Sequence, residues 1–296
     1  MTALRALSWD VEGRDWPNRE VSDFPLAGGL RWHVQRSGCG PSMLLLHGTG
    51  ASTHSFRDLL PALGEHFDVL APDLPGHGFT ARPDDPQAMS LPGMAAALKE
   101  LLRTLGVAPR IVVGHSAGAA LLLRLALDAV VEPAAIVSLN GALLPLAGLR
   151  HPMFSSLVRG LVGADWVARR FAAGMDEPGA FERLMRGTGS SLDARGVALY
   201  RHLSSTPAQV GAALAMMGRW DLRPIERDLP RLIAPLLLVI GARDRMILPG
   251  EAVKVRALVP SARIEQIADA GHLAHEEQPD RIKTLIEDFA RHHGVV

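Results

Sequence analysis

Apolar positions along the chain fall into two recurring patterns: short, mostly apolar runs, and stretches in which they return every three or four residues. The runs are Met43 to Leu46, Phe67 to Ala71, Ile111 to Val113, Pro133 to Leu139 and Pro235 to Ile240, with Arg263 to Ile267 as a last strand. Runs of this length without polar alternation are expected of strands buried on both faces of a parallel sheet. The helical spacing fills the intervals. Phe56, Leu59, Leu60 and Leu63 mark a helix from about Ser55, and Gly250 to Leu258 and Pro279 to His292 mark two more. The best-signalled helix is Ser90 to Gly106, with Ser90 as N-cap, Pro92 in the first turn and Gly106 as the stop. Ahead of the series, Leu30, Trp32 and Val34 alternate after Gly28-Gly29, which predicts an antiparallel hairpin over Phe24 to Gln35.

Strand and helix in alternation with short connections predict an α/β fold: a mostly parallel sheet led by an antiparallel hairpin, with helices on both faces. From Ala142 to Leu229 the strand pattern stops. Phe154, Leu157 and Leu161, then Trp166, Val167 and Phe171, then Phe181, Leu184 and Met185 recur at helical spacing, and a Thr206-capped helix starting at Pro207 carries Val210, Leu214, Met217 and Trp220. The expected organisation is a core of residues 1–141 and 230–296 with a helical cap, 142–229, inserted between core strands. The tryptophan-bearing head, with Trp9 and Trp16, is expected to pack on the sheet.

Composition narrows the class. The 296 residues are 48% hydrophobic, enough for a large core, and 31 basic against 31 acidic side chains leave a net charge of +0. That balance gives no electrostatic footprint for nucleic acid or anionic lipid. Acidic and basic residues interrupt the first twenty positions, so no signal peptide is read there. No run approaches the roughly 20 apolar residues of a membrane span. A cytoplasmic protein is expected, with peripheral membrane contact left open. The single cysteine, Cys39, lies in a turn-like Ser37 to Pro41 stretch. The twelve histidines show no ligand spacing with carboxylates or thiolates, so neither a metal nor another cofactor is expected.

The chemistry concentrates after three of the predicted strands. Gly114-His115-Ser116-Ala117-Gly118 joins a strand to an alanine- and leucine-rich helix, the pattern of a nucleophile elbow that lifts Ser116 out of a turn too tight for flanking side chains. Asp244 follows the strand ending at Ile240, and His272 follows the last strand. Ligand chemistry in such a sheet collects at the carboxyl ends of the strands, and the order Ser116, Asp244, His272 is that of a Ser-Asp-His triad. A serine hydroxyl needs a base to take its proton as it attacks, imidazole suits that task, and a carboxylate fixes its tautomer. The backbone N–H groups of Thr49, in His47-Gly48-Thr49-Gly50, and of Ala117 are the expected oxyanion donors. His275 is the competitor for the base and Asp269 the weaker alternative acid. Asp73 is read as shaping its loop, and His47 as bracing the oxyanion loop. Asn140, Met217 and Trp220 are candidate lining of a substrate pocket. Five of the ten methionines, Met153, Met175, Met185, Met216 and Met217, fall in the cap; their commonest use is core packing, so they suggest a large flat apolar substrate only weakly.

These motifs resemble the α/β-hydrolase superfamily from about Phe24 to His292. The head Gly13 to Glu20, the loop His47 to Ser55, the elbow Gly114 to Ala119 and Leu139-Asn140-Gly141-Ala142-Leu143 are similar to one branch of it, the magnesium-chelatase accessory proteins (BchO) of bacteriochlorophyll synthesis. The superfamily resemblance implies acyl-type or related hydrolysis by a serine hydrolase. The branch implies a role near the magnesium-insertion step, around a tetrapyrrole, protoporphyrin or its magnesium derivative, with magnesium chelatase as a candidate partner, while its chemical step does not carry over. Two other readings stay open: a non-catalytic porphyrin-binding accessory protein, and a general esterase of hydrophobic esters.

Overall fold

The computed structural model describes residues 4–145 and 164–296. Its centre is an eight-stranded sheet. The strands are β1 (Ser22–Asp23), β4 (Val34–Ser37), β5 (Ser42–Leu46), β6 (Asp68–Pro72), β7 (Ile111–His115), β8 (Ala135–Leu139), β9 (Leu236–Gly241) and β10 (Arg263–Ile267). In space the order is β1-β4-β6-β5-β7-β8-β9-β10, antiparallel at the β1-β4-β6 edge and parallel from β6 onward. A separate small hairpin, β2 (Leu26–Ala27) with β3 (Leu30–Arg31), turns at Gly28-Gly29, both at positive φ. The predicted hairpin is thus two antiparallel pairings, the inner one closing the turn and the outer one joining the sheet.

The apolar runs are explained by burial on both faces. Leu44, Leu46, Val112, Ile136 and Leu238 point into one core with helices α2 (Leu91–Leu105) and α3 (Ala117–Leu127). Met43, Leu45, Val113, Val137 and Val239 point into the other, with Leu59, Leu60 and Leu63 of helix α1 (Leu59–Leu63) and Ile282, Ile286 and Phe289 of the closing Pro279–His292 helix. Successive residues of each strand serve opposite layers, as the two-residue period of a strand requires. The α2 caps are as read from the sequence: Ser90 Oγ accepts the Gly93 N–H at 3.2 Å and Gly106 adopts φ 63°.

Two local expectations changed. The helix expected from Ser55 is a 3-10 turn, Thr53–Phe56, followed by the five-residue α1. Pro61 cannot donate to the Arg57 carbonyl, and the Asn18 side chain takes that acceptor at 3.1 Å, so the helix cannot run through. Thr206 stands at the N-cap of the Pro207–Arg219 helix, yet its hydroxyl donates back to His202 O at 2.8 Å instead of capping.

Among the described residues from 142 to 229, all regular structure is helical: α4 (Asp165–Gly174), α5 (Ala180–Thr188), α6 (Ala194–Ser204), α7 (Pro207–Arg219), α8 (Arg223–Asp228) and a terminal 3-10 turn starting at Leu229. Phe154, Leu157, Leu161 and Met153 lie outside the described residues. Helix α7 lies over the loops at the carboxyl ends of β5 and β6. Gln209 donates to Gly50 O and Ala51 O at 3.3 and 3.1 Å and accepts from Gly78 N–H at 2.8 Å. The head packs as expected: Trp16 is buried and donates to Thr53 Oγ1 at 3.2 Å, and Trp9 meets Phe24 and Phe79 edge-on. No helix among the described residues is long and apolar enough to cross a membrane.

Candidate active site

Ser116 sits at the junction of β7 and α3 with φ 51° and ψ −117°. A non-glycine residue there costs about 1–3 kcal/mol of backbone strain, which the surrounding structure must hold. It does so from three sides. Ser116 N–H donates to Leu139 O on the neighbouring strand at 3.0 Å, and Ser116 O accepts from Ala142 N–H at 3.1 Å. The flanking glycines are required by contact: a Cβ on Gly114 would lie 2.5 Å from Ala119 Cα, and one on Gly118 would lie 2.6 Å from His47 O. The strand, the returning helix and the oxyanion loop therefore meet around one half-exposed serine.

The loops carrying Asp244 and His272, the predicted acid and base, meet each other. His272 Nδ1 lies 2.8 Å from Asp244 Oδ2, and both residues are buried. Four donors converge on Asp244: His272 and Asn140 Nδ2 (2.7 Å) on Oδ2, and the Met246 and Ile247 N–H groups (2.8 and 2.9 Å) on Oδ1. With its Oδ2 facing Nδ1, Asp244 fixes the His272 tautomer in which Nε2 is free to accept a proton. His115, the residue before Ser116, bonds through Nε2 to His272 O at 2.9 Å and so ties the elbow to the base loop.

The oxyanion loop packs directly on the serine, since a Cβ on Gly48 would lie 2.9 Å from Ser116 Cβ. His47 braces this loop. Its Nε2 accepts Leu74 N–H at 2.9 Å, which leaves the proton on Nδ1 to donate to Gly48 O at 2.8 Å. Ala117 is the first residue of α3, where N–H groups have no intrahelical acceptor, and Thr49 N–H has no partner among the described residues. Ala117 follows Ser116 in the chain and Thr49 follows the Gly48 that packs on it, and a developing oxyanion needs N–H donors of this kind.

The remaining predicted positions fall in different places. Asn140, at φ 47°, is buried and turns its amide to Asp244 and to Gly271 O. Met217 is 55% exposed, and Trp220 packs against the core and donates to Met89 O at 3.1 Å. Met216, one residue earlier, is the methionine at the oxyanion loop, where its Sδ lies 3.5 Å from Thr49 Oγ1. Asp73 is a buried clasp holding His33 Nδ1 (2.6 Å), Thr53 N–H (2.6 Å) and Phe79 N–H (2.9 Å). Burial would lift its carboxyl, but the His33 ring and the Phe79 N–H hold it below the ordinary range. Asp269 pairs with Arg243 on the surface, and His275 is buried against the His115 ring, centroids 4.4 Å apart. Burial, with His272 and Arg57 nearby, pushes His275 down to about 3. No group of three metal-ligating side chains is assembled among the described residues.

Sequence reasoning missed what supports the base loop from the other side. Thr188 O accepts His272 N–H at 3.0 Å, and Ser190 Oγ accepts Leu273 N–H at 2.8 Å. Nothing in a helical pattern marks such partners; only the pair Gly189 and Gly271 hints at a close backbone approach.

Residues 41–279 match the family described as alpha/beta hydrolase fold. The chain is 38% identical over 280 residues to the magnesium-chelatase 30 kDa subunit of Rhodobacter capsulatus, covering 93% of this chain and 96% of that one. It is 27% identical to a pimeloyl-[acyl-carrier protein] methyl ester esterase of Xanthomonas oryzae, covering 87% and 98% of the two chains. Among solved structures, a serine hydrolase involved in carbazole degradation superposes with a TM-score of 0.73 at 21% identity, covering 92% of this chain and 98% of that one. An esterase from Exiguobacterium antarcticum gives 0.71 at 18%, covering 90% and 98%. At those identities the likeness to the solved structures is one of fold.

Proposed function

Since this chain belongs to the alpha/beta hydrolase fold family, we propose that it is a serine hydrolase in which Ser116 attacks an ester-type carbonyl. His272 takes the serine proton, gives it to the leaving group, and then activates water for deacylation. Asp244 holds the imidazole in the working tautomer, and the Thr49 and Ala117 N–H groups receive the oxyanion. The observation that carries this reading is the 2.8 Å Asp244–His272 contact, tied through His115 to the elbow whose serine is held at φ 51°. Strain of that kind persists where the surroundings over-determine it, and here a strand, a helix and the Gly48 loop meet around the serine.

In this reading the described inserted helices, residues 164–229, cap the site, and the apolar side chains they carry take a hydrophobic substrate. Similarity to a protein named as a magnesium-chelatase subunit supports a role near that enzyme, on or around a tetrapyrrole in bacteriochlorophyll synthesis. In this reading the protein is cytoplasmic and meets the photosynthetic membrane at its surface. The test is a fluorophosphonate probe on the purified protein, with Ser116→Ala as control, followed by complementation of a deletion strain with the same variant. Labelling at Ser116 and loss of pigment with folded Ser116→Ala are expected. Full pigment with Ser116→Ala refutes the catalytic role and favours a binding protein that carries the porphyrin. Turnover of simple esters with no preference for porphyrin methyl esters refutes the substrate class.

A further inference from the structure

The stretch that follows β10 and carries His272 is held from the side of the inserted helices. Besides the Thr188 and Ser190 contacts, the Glu277 carboxylate collects the N–H groups of Gly271 (2.8 Å) and Ser191 (3.0 Å), one from each segment. The two backbones run so close that a Cβ on Gly271 would lie 2.5 Å from Ser190 N. Beneath this seam lies a polar cluster centred on the buried Arg57 and Glu276. The Glu276 side chain has no exposure; its Oε2 pairs with the Arg57 guanidinium, and its Oε1 accepts the Tyr200 hydroxyl of α6 at 2.7 Å. Arg57 reaches on to Asp193 Oδ1 at 3.2 Å, and the same oxygen caps α6 by accepting Gly196 N–H at 2.7 Å. The Tyr200 ring stacks edge-on against His54, centroids 4.6 Å apart. None of these residues belongs to the Ser116, His272 and Asp244 set.

We propose that Tyr200 and Glu276 are positioning residues that lock helix α6 to the His272 loop, so that the base reaches its working place only with the inserted helices seated. A buried carboxylate needs its donors, and one of the two that Glu276 has comes from the insertion. Burial, with a smaller push from Asp58, lifts Glu276 to about 7 against the pull of Arg57 and Tyr200, so each remaining donor matters. His275 Nε2, 3.8 Å away, is the other titratable group facing it. If α6 shifts, Glu276 loses Tyr200 while Thr188, Ser190 and Ser191 pull on the residues around His272. The lock rests on contacts alone; its effect on rate rests on the reading of His272 as the base.

Tyr200→Phe keeps the ring and removes the hydroxyl. The expected result is about tenfold slower fluorophosphonate labelling and kcat with KM within about twofold, because misplacing a base costs rate more than binding. Amide hydrogen exchange of residues 271–273 should quicken while β5 and β7 stay protected. In a chain whose wild type takes no probe, the catalytic reading fails on its own, and the lock is then judged by exchange and by the NMR chemical shifts of the His272 ring, which should move in the variant. Unchanged exchange at 271–273 overturns the proposal, as does faster exchange with an unchanged rate in an active protein. If Tyr200→Phe does not fold, Ser190→Ala, which removes the acceptor of Leu273 N–H, carries the same expectations.

Discussion

Acidification from about pH 7 to about pH 5 should unfold this protein through histidines that have nothing to do with its chemistry. Burial pushes His54, His77 and His275 down to about 3, with neighbouring cationic or imidazole groups adding to the effect, and holds His115 well below the ordinary imidazole range. A group whose pKa is lower in the folded state stabilises the fold fully above its unfolded value, here 6.5, and loses that contribution as pH falls. Glu276 works the other way: raised from 4.5 to about 7, it favours the fold as pH falls through that window. Four histidines protonated only in the unfolded chain, against one glutamate protonated only in the folded one, leave a net uptake of about three protons on unfolding. At about 1.4 kcal/mol per proton per pH unit, stability should fall by about 4 kcal/mol per unit between about pH 6 and pH 5. For a domain stable by roughly 5–15 kcal/mol, that places cooperative acid unfolding near pH 5. Urea denaturation followed by circular dichroism at half-unit pH steps measures the slope directly. His54→Gln should lower it by about one proton and Glu276→Gln should raise it by about one. A slope below one proton would show that these imidazoles are solvated in the folded protein and would refute the reasoning.

Three further perturbations test the geometry. Asn140→Gly keeps a residue suited to φ 47° and removes the Nδ2 donor from Asp244; kcat on a model ester should fall about tenfold or more with KM nearly unchanged. Gly118→Ala drives a methyl group into the Leu46 and His47 carbonyls; it should cost about 3 kcal/mol or more of stability, read as a lowered midpoint in urea, or leave a folded protein that no probe labels. Gln209→Ala removes the three bonds from α7 to the loops after β5 and β6. It should cost about 2–3 kcal/mol and speed proteolysis between α6 and α8 before the core is attacked.

The core was legible because its signals are local and mutually consistent. Met43 to Leu46 had to be apolar on both faces, Ser90 and Gly106 had to bracket a helix, and Gly114 and Gly118 had to lack side chains. Where one local rule met another, the reading failed: Pro61 forbids the bond that would have made a single helix from about Ser55, and the Thr206 hydroxyl donates to the carbonyl behind it instead of accepting an N–H ahead. The orienting role of Asn140 was illegible for a different reason. It depends on Asp244 arriving from a strand 104 positions later, and a turn residue with positive φ looks the same whether or not its amide has such a partner.

The same distinction separates the bond-breaking parts from those that choose the bond. Ser116, Asp244 and His272 stand at strand ends whose positions the sheet dictates, so residue type and chain order suffice to find them. The contacts that set their alignment, Thr188 with His272, Ser190 with Leu273 and Tyr200 with Glu276, link helices to loops with no shared periodicity. A helix registers only which of its faces is apolar, and α6 would look alike with its tyrosine in solvent. On the proposed function, specificity and alignment would be carried by the same inserted helices: Met216 Sδ lies 3.5 Å from Thr49 Oγ1 while Tyr200, on the preceding helix, reaches Glu276 beside the His272 loop. A change in the insertion that admits a different substrate must then also retune the base, and variants selected there for new esters should show linked changes in KM and kcat.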